Sequence, residues 1–465
     1  MGRLIALLEA SSLFIATAVI GLLWRRVVIV DWLDVATVFG QALAVTLCCI
    51  VAFYYNDLYD LRITRDLSAV ASRLLQSFGV TFILLAVFYR FVPEARLVDG
   101  AFVSSFVIIA GILLPLRAVT YAAMRRRPFI ERVIVLGNGS LARQIVDEIE
   151  AQPHFRYEIV GIVPDAGIEE PSSAYRAFGP LDQLAKIVEE SGANRIIVAL
   201  SERRGRLPMR ALLECQARGL SVDDGVETYE RLTGKVPLEW MAPSTVLFSD
   251  DLRKSLRYLR VARGGTMLAA LAGLVVAAPL LALIAIAIKL ESRGPVLFVQ
   301  DRIGRYGRPF RLLKFRTMLP GGERTSEWVR DNDRRITRVG KWLRRFRLDE
   351  LPQFVNILRG DMSLVGPRPH PASNFDLFAD RIPHYVLRTR VRPGVTGWAQ
   401  VRFGYANDLA EEIEKMRFDL FYIRHLSFWM DMHILFDTVK IVLFGRGSKA
   451  ADAYRVDTLP KAVGQ

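Results

Sequence analysis

The chain has 465 residues, room for about three domains of ~150 residues and a sizeable core, which excludes a small module held together by disulfides or a metal. Its apolar fraction is 52%, above the ~45–50% of soluble domains on a similar count, so the excess points to membrane segments. The 62 Lys plus Arg against 48 Asp plus Glu leave +14, which favours an anionic partner: lipid headgroups, nucleic acid or phosphorylated metabolites. Of three cysteines, Cys48 and Cys49 are adjacent in an apolar run, so neither a disulfide framework nor a zinc spacing is present.

Crossing a hydrocarbon core of about 30 Å takes roughly 20 apolar residues. Residues 4–24, 34–55, 74–91 and 101–121 meet that length, which predicts a four-helix transmembrane bundle over 1–127. The first run follows Arg3 as a signal peptide would, but it is too long for one and three more spans follow, so it is expected to be retained. Arg3, the loop with Arg62, Arg65 and Arg73, and Arg125-Arg126-Arg127 fall on one side, the expected cytoplasmic side. Arg25 and Arg26 fall on the other, between Trp24 and Trp32, which read as interface anchors.

From 128 to 250 strands and helices alternate, the rhythm of a parallel sheet in a Rossmann-like α/β domain. The turn Gly137-Asn-Gly139-Ser-Leu-Ala142 follows a strand and opens a helix, where glycines let a backbone approach a pyrophosphate. Asp165 is the acidic residue at the end of the second strand, later than the usual spacing. Gly137, Gly139 and Asp165 are therefore a candidate nucleotide site; the alternative is a ligand-free sheet used for regulation or dimer contacts.

Residues 251–465 read as the catalytic domain. Its apolar run at 266–288 is long enough to span, yet Pro279 interrupts it beside Ala277 and Ala278, and Arg257, Arg260 and Arg263 before it match Lys289 and Arg293 after it. Basic residues at both ends predict a re-entrant helix over 264–289, the alternative being a Pro-kinked span. Leu351, Phe354, Val355 and Leu358 recur at helical spacing and Gly360 ends the run, predicting a helix with Asp349 as N-cap, Glu350 as first helical residue and Pro352 in the first turn. Arg338, Lys341, Arg344, Arg345 and Arg347 precede these acids. A carboxylate kept ionised among cations can attack phosphorus or hold Mg²⁺ against a diphosphate; plain capping within an ion-pair network is the other reading. Lys314, Arg316, Arg344, Arg368 and Arg392 are candidate phosphate ligands, most of them in or beside the turn-rich pieces Lys314-Phe-Arg316, Gly366-Pro-Arg368-Pro-His370 and Arg392-Pro-Gly394. Residues 420–444 form either an amphipathic membrane-surface segment or a core helix.

Together these pieces closely resemble the bacterial sugar transferases, the polyprenyl-phosphate hexose-1-phosphate transferases, over residues 260–447. The motifs occur in order: Gly294-Pro-Val-Leu-Phe298, Gln300-Asp-Arg-Ile-Gly304, Lys314-Phe-Arg-Thr-Met318, Leu348-Asp-Glu-Leu-Pro-Gln353, Gly360-Asp-Met-Ser363, Gly366-Pro-Arg-Pro369 and Pro393-Gly-Val-Thr-Gly-Trp-Ala-Gln400. The spans and the middle domain look like the family's long form. Arg347 stands where a small polar residue is usual, and Arg334 where a proline is; neither touches the Asp-Glu pair.

The resemblance implies transfer of a sugar-1-phosphate from a UDP-sugar to undecaprenyl phosphate with release of UMP, initiating exopolysaccharide, capsule or O-antigen synthesis. It also implies a Mg²⁺ requirement, Asp349 as nucleophile forming a covalent phosphosugar with Glu350 beside it, a homodimer, and a place in the bacterial inner membrane with the catalytic domain in the cytoplasm. The expected fold is thus a mixed membrane protein: four spans, a Rossmann-like domain, and an α-rich membrane-associated catalytic domain with a re-entrant helix. Rival functions are a membrane-bound nucleotide-sugar dehydratase, for which the Tyr-x-x-x-Lys motif is missing, and a nucleotide-sensing membrane scaffold. Nucleic-acid binding is disfavoured because the basic residues interleave with membrane-length apolar runs.

Overall fold

The computed structural model describes residues 2–24, 32–59, 67–97, 99–124, 130–152, 157–165, 175–202, 206–241, 256–319, 335–404, 406 and 408–444. Arg25, Arg26, Arg62, Arg65, Arg125, Arg126, Arg127 and Arg334 lie outside the described residues. The chain divides into two compact units, Met1–Val222 and Asp223–Gln465.

The first unit begins with four long helices, α1 (Gly2–Trp24), α2 (Trp32–Tyr55), α3 (Leu67–Phe91) and α4 (Asp99–Met124). Apolar stretches of membrane length run over Ala6–Leu23, Asp34–Tyr55 and Val70–Phe91, with a shorter one at Phe106–Thr120 in α4. Leu13, Val45, Phe53, Phe78, Phe106 and Leu113 pack between the helices, while Leu7, Leu43, Leu75, Ile83 and Val107 are exposed, the side that lipid would cover. One charged pair lies inside: Arg117 Nε is 2.5 Å from Glu9 Oε1, and Arg117 Nη1 also donates to Leu58 O at 3.0 Å. Both side chains are almost fully buried.

The α/β part follows: β1 (Glu131–Leu136), α5 (Ser140–Ala151), β2 (Tyr157–Val163), α6 (Leu184–Ser191), β3 (Arg195–Val198), α7 (Met209–Ala217) and β4 (Ser221–Asp224). Strand order is β2-β1-β3-β4, with β1 parallel to both neighbours. Ile134, Leu136, Val163, Ile196 and Leu212 form its core. Apolar helices near the N-terminus and a parallel α/β sheet are thus as the sequence predicts.

The second unit opens with α8 (Gly225–Thr233), capped by Asp224, whose carboxylate accepts from Val226 N and Glu227 N. Residues 225–241, which the sequence reading allots to the middle domain, pack within this unit: Val236 and Leu238 share a core with Trp398, Met416 and Phe418, and Trp398 Nε1 donates to Gly234 O. Next come α9 (Leu256–Glu291), the antiparallel hairpin β5 (Leu297–Ile303) and β6 (Pro309–Phe315), α10 (Arg338–Arg345), α11 (Gln353–Arg359), β7 (Ser363–Val365), α12 (Ala372–Arg381), β8 (Gly394–Thr396), α13 (Trp398–Arg402), α14 (Leu409–Arg424) and α15 (Phe428–Phe444).

Helix α9 continues through Pro279 for 36 residues, about 54 Å of contour at 1.5 Å per residue, with Pro279 removing one backbone hydrogen bond inside it. The catalytic body lies along it. Ala270 packs with Leu312, Ile357 and Met362, Ile284 and Ile288 with Phe315 and Leu343, while Val261, Leu268, Val275, Val276, Leu283 and Leu290 stay exposed. In helix α15, Ile434 is buried in the core, and Phe428, Trp429 and Phe436 are exposed.

Candidate active site

Three short elements converge on the two acids. Strand β6 carries Lys314, paired across the hairpin with Phe298. A single 3₁₀ turn, Leu348–Glu350, carries Asp349 and Glu350, and the loop between β7 and α12 carries Arg368. The turn is entered through Arg347, whose φ of 54° is left-handed and costs a non-glycine residue strain. Asp349 is therefore not the N-cap of a helix, as the sequence pattern predicts. Leu351 N donates to Leu348 O to close a 3₁₀ turn, and α11 starts only at Gln353 with Pro352 immediately before it.

The two carboxylates have different surroundings. Glu350 is buried, and its Oε1 accepts from both Lys314 Nζ at 3.1 Å and Arg368 Nη2 at 2.8 Å. Burial would push its pKa up, but Arg368 and Lys314 outweigh burial and hold it well below the usual carboxylate range. Asp349 is half-buried and has no hydrogen-bond partner among the described residues. Burial and the neighbouring Glu350 charge raise its pKa, while Lys314, Arg368 and Arg344 act against that rise. The result is one acid locked in an ion-pair triad and one with its oxygens open, surrounded by cations: the arrangement of a nucleophile toward a phosphorylated substrate.

The loop bearing Arg368 is held at nearly every peptide. Gly366 N donates to Thr396 O, Gly394 N to Pro367 O, Arg388 Nη2 to Arg368 O, Arg302 Nη1 to Pro369 O and Ile303 N to His370 O. The backbones of Gly366 and Gly394 approach so closely that a Cβ on Gly394 would lie 2.1 Å from Gly366 N, which requires glycine there. Behind the loop lies a buried charge network that the motif reading missed. Glu412 takes Arg388 Nη1 and His370 Nε2 at 3.1 Å and Lys415 Nζ at 3.2 Å. Arg388 also pairs with Asp419 at 2.7 Å and donates to Tyr385 OH at 2.7 Å. The signal was in α14, where Glu412, Lys415 and Asp419 recur at helical spacing on its buried side.

The candidate phosphate ligands separate. Lys314, Arg368 and Arg344 come to the acids, Arg344 being further fixed through Nε to Thr317 Oγ1. Arg316 does not: it is buried with Nη1 on Arg293 O and Nη2 on Ser292 O and Oγ, tying β6 to the end of α9. Arg392 donates Nε to Gly360 O, and Arg263 donates to Met362 O and Ile357 O, so both sit on the closing carbonyls of α11, where a cation is favoured.

In the α/β part, Gly137, Gly139 and Asp165 do gather at the strand ends, but they bind each other's loops. A Cβ on Gly139 would lie 2.1 Å from Ser201 Oγ, so the Gly139 turn and the Ser201 loop approach closely. Asp165 accepts from Ser201 N through Oδ2 and donates its own N–H to Asn138 Oδ1.

A family model described as bacterial sugar transferase matches residues 258–445, and one described as CoA-binding domain matches 54–216. The chain is 41% identical over 241 residues to a UDP-N-acetylgalactosamine-undecaprenyl-phosphate N-acetylgalactosaminephosphotransferase of Aeromonas hydrophila, covering 52% of this chain and 56% of that protein, a little over half its length. It is 33% identical to the UDP-glucose:undecaprenyl-phosphate glucose-1-phosphate transferase of Escherichia coli (strain K12), over 68% of each chain. A protein of the same name from Xanthomonas campestris pv. campestris is 30% identical over 93% of this chain and 91% of its own. With the Asp349–Glu350 turn, its cations and the long apolar helices inside the matched regions, the chain belongs to the bacterial sugar transferase family.

Proposed function

We propose that this protein transfers a sugar-1-phosphate from a UDP-sugar to undecaprenyl phosphate, releasing UMP, as the initiating step of a surface polysaccharide. The observation that carries the reading is the contrast between Asp349, open and without a protein partner among the described residues, and Glu350, locked by Lys314 and Arg368. In the first step an Asp349 carboxylate oxygen attacks the phosphorus that bears the sugar; the bond to the UMP oxygen breaks and UMP leaves. In the second step an oxygen of the lipid phosphate attacks the same phosphorus, the bond to Asp349 breaks, and the carboxylate is restored. Lys314, Arg368 and Arg344 offset the negative charge that builds on the phosphoryl oxygens.

Mg²⁺ fits this donor set. Asp349 has both oxygens open and Glu350 commits only Oε1 to its cations, and Mg²⁺ is typically held by one or two carboxylates plus substrate phosphates. Bound there, it would neutralise diphosphate charge.

We read α9 as entering and leaving the bilayer on the cytoplasmic face, where UDP-sugars are made. Arg263 near its start is bonded to Met362 and Ile357, and Glu291 at its end accepts from Arg338 N and Val339 N, so both ends are attached to one catalytic body. The decisive experiment is purified protein with undecaprenyl phosphate, Mg²⁺ and a panel of UDP-glucose, UDP-galactose and UDP-N-acetylgalactosamine, following UMP release. No release with any donor rejects the reading.

A further inference from the structure

A cavity of about 400 Å³ opens against Glu350, within the ~300–1,000 Å³ of small-molecule sites. Leu351, Phe354 and Val401 line it together with Val439, Ile441 and Val442 of α15, and Thr396, Gln400 and Thr438 are its neutral polar groups. The Thr396 and Thr438 hydroxyls, 2.6 Å apart, tie α15 to β8 and set its width. Val439 is 42% exposed and so stands at the mouth, on the same helix that exposes Phe428, Trp429 and Phe436.

Apolar side chains dominate this lining, and of its neutral polar groups Thr396 and Thr438 bond each other while Gln400 Nε2 donates to Val395 O, so uracil and ribose would find few of the hydrogen bonds they need. An amphiphile with an anionic head and an apolar tail matches at both ends. Glu350 and Arg347 line the inner end, where Lys314 and Arg368 are bonded to Glu350, and the exposed apolar side of α15 continues the outer end toward lipid. We propose that this cavity holds the first isoprene units of the acceptor, laying its phosphate against the Asp349–Glu350 turn. The proposal rests on the transferase reading and adds to it the place where the acceptor chain binds.

The test combines a filling variant with labelling. Val439→Trp is expected to raise the KM for undecaprenyl phosphate at least tenfold while the KM for the UDP-sugar stays within twofold. Labelling uses the wild-type protein in nanodiscs with farnesyl phosphate carrying a diazirine on its first isoprene unit, read by peptide mass spectrometry. Adducts on Leu351, Phe354, Val439 or Ile441, competed by undecaprenyl phosphate, support the cavity. Adducts confined to the exposed face of α9, or a Val439→Trp effect on the donor KM instead of the acceptor KM, overturn it. Labelling needs no turnover, so it decides the cavity even where Val439→Trp does not fold. Competed cavity labelling in a protein that turns over no UDP-sugar would keep the lipid site and reject the reaction; turnover without cavity labelling would do the reverse.

Discussion

Arg368 Nη2 lies 2.8 Å from Glu350 Oε1, and the oxygen it meets is the same one that receives Lys314. Two cations on one buried carboxylate oxygen leave the neighbouring Asp349 as the acid with open oxygens. Removing either cation leaves a buried carboxylate undercompensated as well as weakening the field at the phosphoryl group. Arg368→Ala is expected to lower kcat/KM for the UDP-sugar by at least ~10²-fold, the scale of losing one preorganised contact to the transition state. Arg368→Lys should recover only part, because an ammonium lacks the planar fork. UMP release checks both, and Arg368→Lys activity equal to wild type would remove the geometric role.

Asp349→Asn is expected to retain less than a few per cent of activity while the melting temperature stays the same or rises, since it removes a half-buried charge with no protein partner among the described residues. Loss of a helix cap would instead cost about 1 kcal/mol of stability and leave the chemistry working. Incubation with UDP-sugar alone should give a phosphosugar adduct on Asp349 in the wild type and none in the variant. Repeated absence of the adduct in the wild type would favour direct attack by the lipid phosphate.

The network behind the Arg368 loop predicts acid sensitivity. Burial holds His370 neutral, with its pKa lowered from 6.5 to about 3, and Glu412 is kept ionised by Lys415, Arg388 and the hydrogen bond from His370 despite burial. Between pH 6.5 and 3 the unfolded chain binds the His370 proton and the folded chain does not. Its contribution is therefore complete above pH 6.5 and is lost as the pH falls toward 3. The melting temperature should drop steadily below pH 6.5, and His370→Gln should flatten that slope. An unchanged slope would place the acid sensitivity elsewhere.

In the membrane bundle, Arg117 and Glu9 form a two-pronged pair, Nε to Oε1 at 2.5 Å and Nη2 to Oε2 at 2.9 Å. Breaking a buried pair by removing one partner typically costs about 3–5 kcal/mol, whereas replacing both with apolar groups costs far less. Arg117→Met or Glu9→Leu alone should lower stability in detergent markedly, and the double variant should recover most of the loss. Additive losses would show that the pair is not coupled.

The topology of α9 is open to cysteine labelling in a background lacking Cys48, Cys49 and Cys215. Val261 and Leu290 are both exposed, near opposite ends of the helix. Val261→Cys and Leu290→Cys should both resist an impermeant thiol reagent in intact cells. Reaction of the residue 290 thiol from outside would make α9 a crossing helix.

Local pattern made the elements legible: apolar runs of membrane length, strands alternating with helices, and the Gly360 helix stop all follow from near-neighbour rules. The Asp349–Glu350 motif was legible as a candidate for reaction at a phosphate, beside the reading of capping in an ion-pair network, because two adjacent acids are preceded by a run of arginines. The fate of each arginine was not. Lys314 and Arg316 are two apart in the chain, yet one bonds Glu350 and the other caps α9, a difference set by what is packed around each as β6 ends.

By itself, then, the sequence determined that the chain has membrane-length helices, an α/β middle and a cation-rich acidic motif, since each depends on residues close together in the chain. Which arginines meet the acids, that Glu350 rather than Asp349 takes the cations, that Arg388 and Glu412 brace the Arg368 loop, and that an apolar cavity ends on Glu350 were decided only by the tertiary structure. The bonds of Arg368 and Lys314 to Glu350 join residues 18 and 36 positions apart, and burial, not spacing, selects the partner of each charge.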